Sequence, residues 1–321
     1  MNTTFSSTTR PAAAPFSVSI APLHTAQDLE DAFDAVSHAI QLTPGAISGF
    51  GCAMNLGAVD VYEFAVDRGI ELRFSHCPDA IALGFLIEGD RIIEDARPWL
   101  RTQVWVAPES QVAFSSLRPC HVAFVRIARE QLAQPDREAL DSLRSPFFAE
   151  AAAFAEVRTI LDRLTRDQRS TQDALSRLRA VHAREELLRA LLSSLRRVAL
   201  VPRPESARES RSLDLVRSVE AYMWENVEEP LTLGRICRDM NCGVRALIYA
   251  FKDVYGVGPM TYWKSRRLNG AHRKLRESMG KMPILEIAAD FGFWHMGHFS
   301  SDHKQMFGMT PSQAIEAGTA G

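Results

Sequence analysis

Apolar residues in the C-terminal third follow one helical pattern twice, at about 231–253 and 282–307. In each copy a short run of helical spacing leads to a glycine, Gly243 or Gly292. Apolar residues spaced three or four apart then continue, which is the period of an α-helix. Each copy closes on a glycine that a proline follows three residues later, and such a pair ends helices. The pattern predicts two helix-turn-helix units, whose second helices are shaped for a DNA major groove.

The pattern is different between residues 45 and 128, where apolar runs are short and rich in Val, Ile and Phe. Turn residues such as Asp67, Gly69 and Gly89 separate these runs. Many short strands at close spacing predict a small antiparallel barrel or sandwich. Residues 26–40 have helical spacing. Residues 1–24 are rich in Ser, Thr and Ala, so we expect a disordered tail there and a β-rich domain at 25–128.

Helical spacing returns at 129–200, a segment with no glycine. We expect helices at 147–166 and 171–200, the second with apolar residues on one face. That face favours either a dimer interface or a helix packed on its own barrel, and the spacing leaves both open. Residues 201–211 contain two prolines and no apolar face, so they are predicted to be a linker. The C-terminal domain is expected at 212–318.

Charge adds one feature to this outline. The chain has 321 residues, 46% of them hydrophobic, and a formal net charge of −2. Residues 252–281 carry eight basic and two acidic side chains, a local basic stripe suited to phosphate contact. Five scattered cysteines without a C-x-x-C predict reduced thiols. No apolar run reaches 18 residues, and the N-terminus lacks an apolar signal core, so we expect no membrane contact and a cytoplasmic location at the bacterial nucleoid.

Residues 214–317 resemble the DNA-binding domain of AraC/XylS-family transcription regulators. About a dozen positions agree across both helical copies. They are Phe251-Lys252, the run from Gly256 to Leu268, Ile287-Ala288, Gly292-Phe293, Phe299, Phe307-Gly308 and Thr310-Pro311-Ser312. The segment from Gly292 to Phe299 is most similar to the branch that includes the ethanolamine-operon regulator.

The resemblance implies an α+β chain. An N-terminal cupin-like β-barrel sensor would be followed by a helical dimerisation segment and an all-α domain with two helix-turn-helix units. It implies a homodimer that binds double-stranded DNA and a small-molecule effector, and an activator that recruits RNA polymerase. The helix joining the two units would hold both recognition helices about one DNA turn, on the order of 34 Å, apart.

Family alignment assigns roles to individual side chains. Arg245 is the strongest candidate reader, because a guanidinium can bind guanine O6 and N7 together. Gly297 lies among the base-facing positions of the second helix but brings no side chain. Expected base contacts are Arg245, Ile248, Tyr249, Met296, His298, Ser300 and Ser301. Expected phosphate contacts are Lys252, Lys264, Arg266 and Lys304.

Other chemistries have weaker support in the sequence. His295, His298 and His303 lack the further ligands that complete a zinc site, so we expect no metal. No H-x-H with a trailing Glu occurs in the β-rich domain, so we expect no catalytic residue, no cofactor and no enzyme. Aromatic residues there are candidates for an apolar pocket, but they do not identify effector-binding residues. Two alternatives stay open, a cupin-type metal oxygenase with a helical tail and a constitutive DNA-binding protein without a ligand.

Overall fold

A sheet-rich N-terminal part is followed by a helical C-terminal part, so the fold is α+β. The computed structural model describes residues 17–75, 79–94, 96–107, 113–141, 147–170, 177–198 and 207–319. The strands are β1 (Ser17–Leu23), β2 (Val36–Gln41), β3 (Gly49–Asn55), β4 (Val59–Val66), β5 (Ile70–Phe74), β6 (Ala80–Glu88), β7 (Arg91–Glu94), β8 (Arg97–Leu100), β9 (Gln103–Ala107), β10 (Ala113–Ser116), β11 (Cys120–Ala128) and β12 (Phe147–Glu150). The helices are α1 (Gln27–Ala32), α2 (Gln134–Asp141), α3 (Ala155–Ser170), α4 (Arg177–Arg197), α5 (Ala207–Glu225), α6 (Leu233–Asp239), α7 (Val244–Tyr255), α8 (Pro259–Ser278), α9 (Ile284–Asp290), α10 (Met296–Phe307) and α11 (Pro311–Thr319).

The strands form two antiparallel sheets rather than one. The large sheet has the order β1-β3-β4-β11-β6-β9-β12, and the small sheet has the order β2-β5-β10-β7-β8. Aromatic side chains of both sheets pack together, with Trp105 on β9 and Phe114 on β10 centred 4.9 Å apart. The two facing sheets are the sandwich form of the predicted barrel or sandwich: no closed barrel is formed within the described residues, and the cupin-like character stays a prediction.

Helices α3 and α4 cover the other face of the large sheet. Alternate residues of its strands, such as Val59 and Val61 on β4, are fully buried there. Leu187 and Leu191 of α4 are equally buried in the same cluster. The apolar face predicted for this helix thus packs on its own chain, and a dimer contact through the helix stays a prediction.

Three predicted boundaries are corrected by long-range pairing. Residues 17–23, expected in the tail, form β1 beside β3, while residues 1–16 lie outside the described ones. The helix expected over 26–40 stops at Ala32, because the later residues pair with β5 as strand β2. The helix expected to start at Phe147 begins instead with β12, which pairs with β9.

The expected linker at 201–211 is also shorter than predicted. Residues 201–206 lie outside the described ones, and α5 already begins at Ala207. Val216, Val219 and Met223 of α5 are buried with the first helix-turn-helix unit, so α5 belongs to the C-terminal core. A second core surrounds α9 and α10. Of the helices described, none combines the length and apolar character needed to span a membrane.

Candidate nucleic-acid interface

The first helix-turn-helix unit is α6 and α7. Thr232 caps α6, because its side chain accepts a hydrogen bond from the Arg235 N–H at 3.3 Å. The helix ends where the Cys242 N–H donates to the Cys237 carbonyl at 2.9 Å, with Asn241 in the left-handed region at φ 48°. This six-residue closure is the Schellman motif, which satisfies the last carbonyls of α6 and turns the chain into α7.

The second unit, α9 and α10, uses the same closure with different residues. The Phe293 N–H donates to the Ala288 carbonyl at 2.9 Å, and Gly292 takes the left-handed position at φ 71°. Arg267 donates from Nη1 to the Gly292 carbonyl at 3.1 Å and lies over the Phe293 ring at 4.7 Å. Arg267 therefore holds this turn in place.

The outward face of α7 carries most of the residues predicted to read DNA. Leu247 and Phe251 are fully buried, which orients the helix on its core. Arg245, Tyr249 and Lys252 are exposed, and the Tyr249 side chain is 60% exposed. Their spacing of four and three puts them in one stripe along the helix. Ile248, the fourth predicted side chain, lies beside this stripe and is half-buried.

Helix α10 offers a weaker reading face. Its fully buried anchor is Phe299, which leaves His298, Ser301 and Lys304 exposed on the opposite side. Ser300 is half-buried at the edge of this face. Met296 packs against the apolar core of the second unit and is also half-buried, so less of it is available to a base than predicted.

The cations of the joining helix α8 are less available to phosphate than predicted. Lys264 is 46% exposed but pairs with Asp302 of α10, with Nζ and Oδ1 2.7 Å apart. Arg266 is corrected as a phosphate contact: its guanidinium lies over the Trp224 ring at 5.6 Å. Its Nε and Nη1 atoms are shielded from solvent. Arg266 as a whole is half-buried, and a guanidinium that is stacked on an indole with two of its three nitrogens shielded is less available to a phosphate than predicted.

The three histidines suggested by the sequence do not converge. His295 and His298 are exposed, whereas His303 is fully buried and its Nε2 lies 3.1 Å from Nδ1 of His272. The other nitrogen of His303 donates to the Met309 carbonyl at 2.9 Å, so His303 accepts from His272. Burial, reinforced by the neighbouring charges, lowers the pKa of His272 to about 3. Burial also lowers the pKa of His303 to about 4, against the effect of the Met309 bond.

One exposed residue was not predicted. Trp294 lies in the turn just before α10, and 60% of it is exposed. The second turn has two residues between its left-handed position and the helix cap His295, whereas the first has one between Asn241 and its cap Gly243. Trp294 therefore stands directly before the cap of α10, next in the chain to the side chains predicted to contact DNA. An aromatic residue in a turn, outside helical spacing, was the available signal.

The small sheet contacts the C-terminal end of each recognition helix. Ser115 donates from Oγ to the Val254 carbonyl of α7 at 3.1 Å. Gln41 donates from Nε2 to the Met306 carbonyl of α10 at 2.7 Å. The main chain of Gln41 also exchanges two hydrogen bonds of 2.9 Å with the Asn269 amide of α8. We call these contacts, made by Gln41 and Ser115, the bracing contacts. They involve the C-terminal ends of both helices and not the N-terminal ends, where base contacts are predicted.

Comparison with known proteins covers this C-terminal region. Residues 236–317 match a family described as a helix-turn-helix domain. The probable thc operon regulatory protein of Rhodococcus erythropolis is 33% identical over 102 residues, which are 32% of this chain and 31% of that protein. The virulence regulon transcriptional activator VirF of Yersinia enterocolitica is 33% identical over 96 residues, 30% of this chain and 35% of that protein.

A solved structure of a probable AraC family transcriptional regulator from Rhodopseudomonas palustris CGA009 is 30% identical and covers 33% of this chain and 97% of that one, with a TM-score of 0.29. The chain belongs to the AraC/XylS family. The chain spans about a third of the length of these two curated relatives. The similarity to AraC/XylS proteins therefore concerns the helix-turn-helix units. The description of the two-sheet part comes from its structure alone.

Proposed function

We propose that this protein is a transcription regulator that binds double-stranded DNA through α7 and α10. The observation that carries the proposal is the pair of exposed faces on α7 and α10, two helices that both pack on the joining helix α8, the spacer. Helix α8 has 20 residues, hence a length of about 30 Å at 1.5 Å per residue. That length is close to one turn of DNA, so the two helices would enter successive major grooves.

The two recognition helices would contribute unequally. Arg245, with its fork of donors, would specify a guanine, while Ile248 and Tyr249 contact the neighbouring bases. His298, Ser300 and Ser301 are weaker readers, and Met296 has little exposed surface. Lys252, Lys264 and Lys304 would contact phosphates and set the register. We add Trp294 to the predicted interface, as an apolar contact to a sugar or a thymine methyl.

The two-sheet part would act as the sensor of a small-molecule effector. This proposal is supported by the bracing contacts, which reach both recognition helices and the joining helix α8. An effector that binds one arrangement of these contacts better than another shifts the population by that difference in affinity. The regulated step would be activation by recruitment of RNA polymerase, in line with the activators among the relatives. A homodimer is part of the proposal, with the flank of α4 as its contact.

Footprinting of the purified protein on DNA upstream of its neighbouring genes tests the function. We expect protection of two adjacent major grooves per subunit and a change on addition of the correct metabolite. Arg245→Ala serves as the loss-of-reading control. Protein that folds but binds all DNA sequences with equal affinity would contradict a sequence-specific regulator.

A fragment of residues 207–321 tests whether the helical part binds DNA without the two-sheet part, the proposed sensor. Because α5 packs its Val216 and Met223 into the first unit, the fragment starts at Ala207 rather than after the predicted linker. We expect it to fold and bind DNA without responding to metabolites. A folded fragment that does not bind would show that dimerisation is required for affinity.

A further inference from the structure

A cavity of about 250 Å³ lies between the small sheet and the C-terminal helices. Phe114 and Ser115 of β10 line one side, and Val216 and Tyr255 of α5 and α7 line the other. The volume lies below the ~300–1,000 Å³ of sites that hold drug-sized molecules, so only a small ligand fits. The cavity is formed by both parts of the chain, which means that its occupant touches both.

A shared ion pair closes one wall of this cavity. Arg73 of β5 donates from Nε to Oε1 of the buried Glu71 at 2.8 Å. Its Nη2 lies 3.2 Å from Oε1 of Glu220 on α5. Glu220 also accepts a hydrogen bond from the Tyr262 hydroxyl. Glu220 thus has two partners, one in each part of the chain, and it can give up Arg73 while keeping Tyr262.

Two guanidinium groups at the cavity also have hydrogen-bond donors available for a ligand. Arg73 Nη1 makes no hydrogen bond within the part of the chain that the structure describes. Arg217, one turn before Glu220 on α5, lines the cavity and is exposed, and it has no ion pair with any described residue. Two guanidinium groups from opposite sides of a small space are suited to a carboxylate, which accepts two parallel hydrogen bonds.

The geometry points to a binding site in this cavity for a small organic carboxylate with a compact apolar body. Its carboxylate binds Arg73 and Arg217 in place of Glu220, and its apolar part contacts Phe114 and Val216. This inference rests on the proposed function only where the ligand is taken as the effector. As effector, it breaks the Arg73–Glu220 pair between the two parts, beside the bracing contact of Ser115.

Calorimetric titration of the full chain without DNA tests the site directly. The probe is phenylacetate, and its neutral isostere phenylacetamide is the matched ligand control. We expect phenylacetate to bind with a Kd of about 1 mM or tighter, and the amide at least about tenfold more weakly, because the charge-assisted hydrogen bonds are lost.

Three variants assign the binding to this cavity. Arg217→Gln, at an exposed position that leaves the fold intact, should weaken phenylacetate binding about tenfold. Glu220→Gln removes the competing carboxylate and should tighten it. Arg91→Gln, an exposed arginine of the sensor outside the cavity, should change nothing.

Equal binding of acid and amide, no binding of either, unchanged affinity in Arg217→Gln, or weaker binding in Glu220→Gln would each overturn the assignment. The same protein preparations are also tested for DNA binding, so that failure of the carboxylate site can be distinguished from failure of the proposed regulator function. Protein that binds phenylacetate but no DNA refutes the regulator and leaves the site. Protein that retains DNA but binds no phenylacetate refutes the carboxylate site and leaves the regulator.

Discussion

The two helix-turn-helix units have nearly the same frame and differ in how they stabilise it. Helices α7 and α10 both have twelve residues, and each ends on a left-handed glycine, at φ 77° and 74°. The first unit packs an apolar core under α7 and places its left-handed turn on Asn241. The second places that turn on Gly292 and buries His303 on the inner face of α10.

The difference shows that the backbone path is shared while the residues that enforce it are not. Gly243 and Gly292 look equivalent in the sequence, yet only Gly292 has a positive φ. Gly243 is a helix cap at φ −76° in the extended region. A glycine near a turn therefore identifies the turn but not the position that requires it. Four experiments test how far the two units differ.

The largest effect is expected at the turns. Gly292→Ala should destabilise the C-terminal domain by ~2 kcal/mol or more, since φ is positive there and the new Cβ would lie 2.4 Å from the Val227 carbonyl oxygen. Gly243→Ala, where nothing lies within 4 Å, is the matched control and should cost at most ~1 kcal/mol. Urea denaturation followed by circular dichroism measures both, and equal losses would contradict the distinction.

Acid should loosen the second unit before the first. The pKa values of His272 and His303 are about 3 and about 4 in the folded chain, below their ordinary 6.5. The unfolded chain therefore takes up protons first, so stability is complete above pH 6.5 and falls as the pH drops below it. At pH 5.5 the loss is ~1 kcal/mol for each imidazole.

Hydrogen exchange at pH 7 and at pH 5.5, corrected for intrinsic rates, measures this loss of stability separately for each helix. Exchange should rise in α10 more than in α7. His298→Gln, which removes an exposed imidazole, should leave the pattern unchanged. A parallel rise in both helices would show that the buried histidine pair has no local effect.

Base reading should be concentrated in the first unit. Arg245→Ala should weaken specific binding by ~1–3 kcal/mol, because a bidentate contact to guanine is lost. Ser301→Ala, on the second reading face, should cost less than ~1 kcal/mol. Affinities for the footprinted site and for a scrambled site, at one salt concentration, measure both. A larger loss from Ser301→Ala would reverse the assignment of the main reader.

The smallest difference is expected between the two lysines at equivalent places, Lys252 and Lys304. Each Lys→Ala change should weaken all DNA sequences alike and reduce the slope of log K against log salt by ~0.9. Arg266→Ala should instead lower the melting temperature, because this guanidinium is packed on Trp224. A reduced salt slope in Arg266→Ala, without loss of stability, would restore it as a phosphate contact.

Much of the C-terminal domain could be predicted because its information is local. The spacing of Leu247 and Phe251 orients α7, and it leaves Arg245, Tyr249 and Lys252 outside wherever the helix packs. The second helix follows from Phe299 in the same way. The exposure of Met296 on that helix was predicted less accurately, because a residue at the start of a helix is exposed or covered according to its neighbours.

The sequence by itself determined the duplicated units, their exposed stripes and the change from strands to helices, because helical and strand periods are properties of neighbouring residues. Only the tertiary structure decided that residues 17–23 and Phe147–Glu150 are strands, that Arg266 packs on Trp224, and that Gln41 contacts Met306. Each of these depends on a partner far away in the chain. Strand pairing and the burial of a long charged side chain are free-energy balances between distant segments, and no local pattern records them.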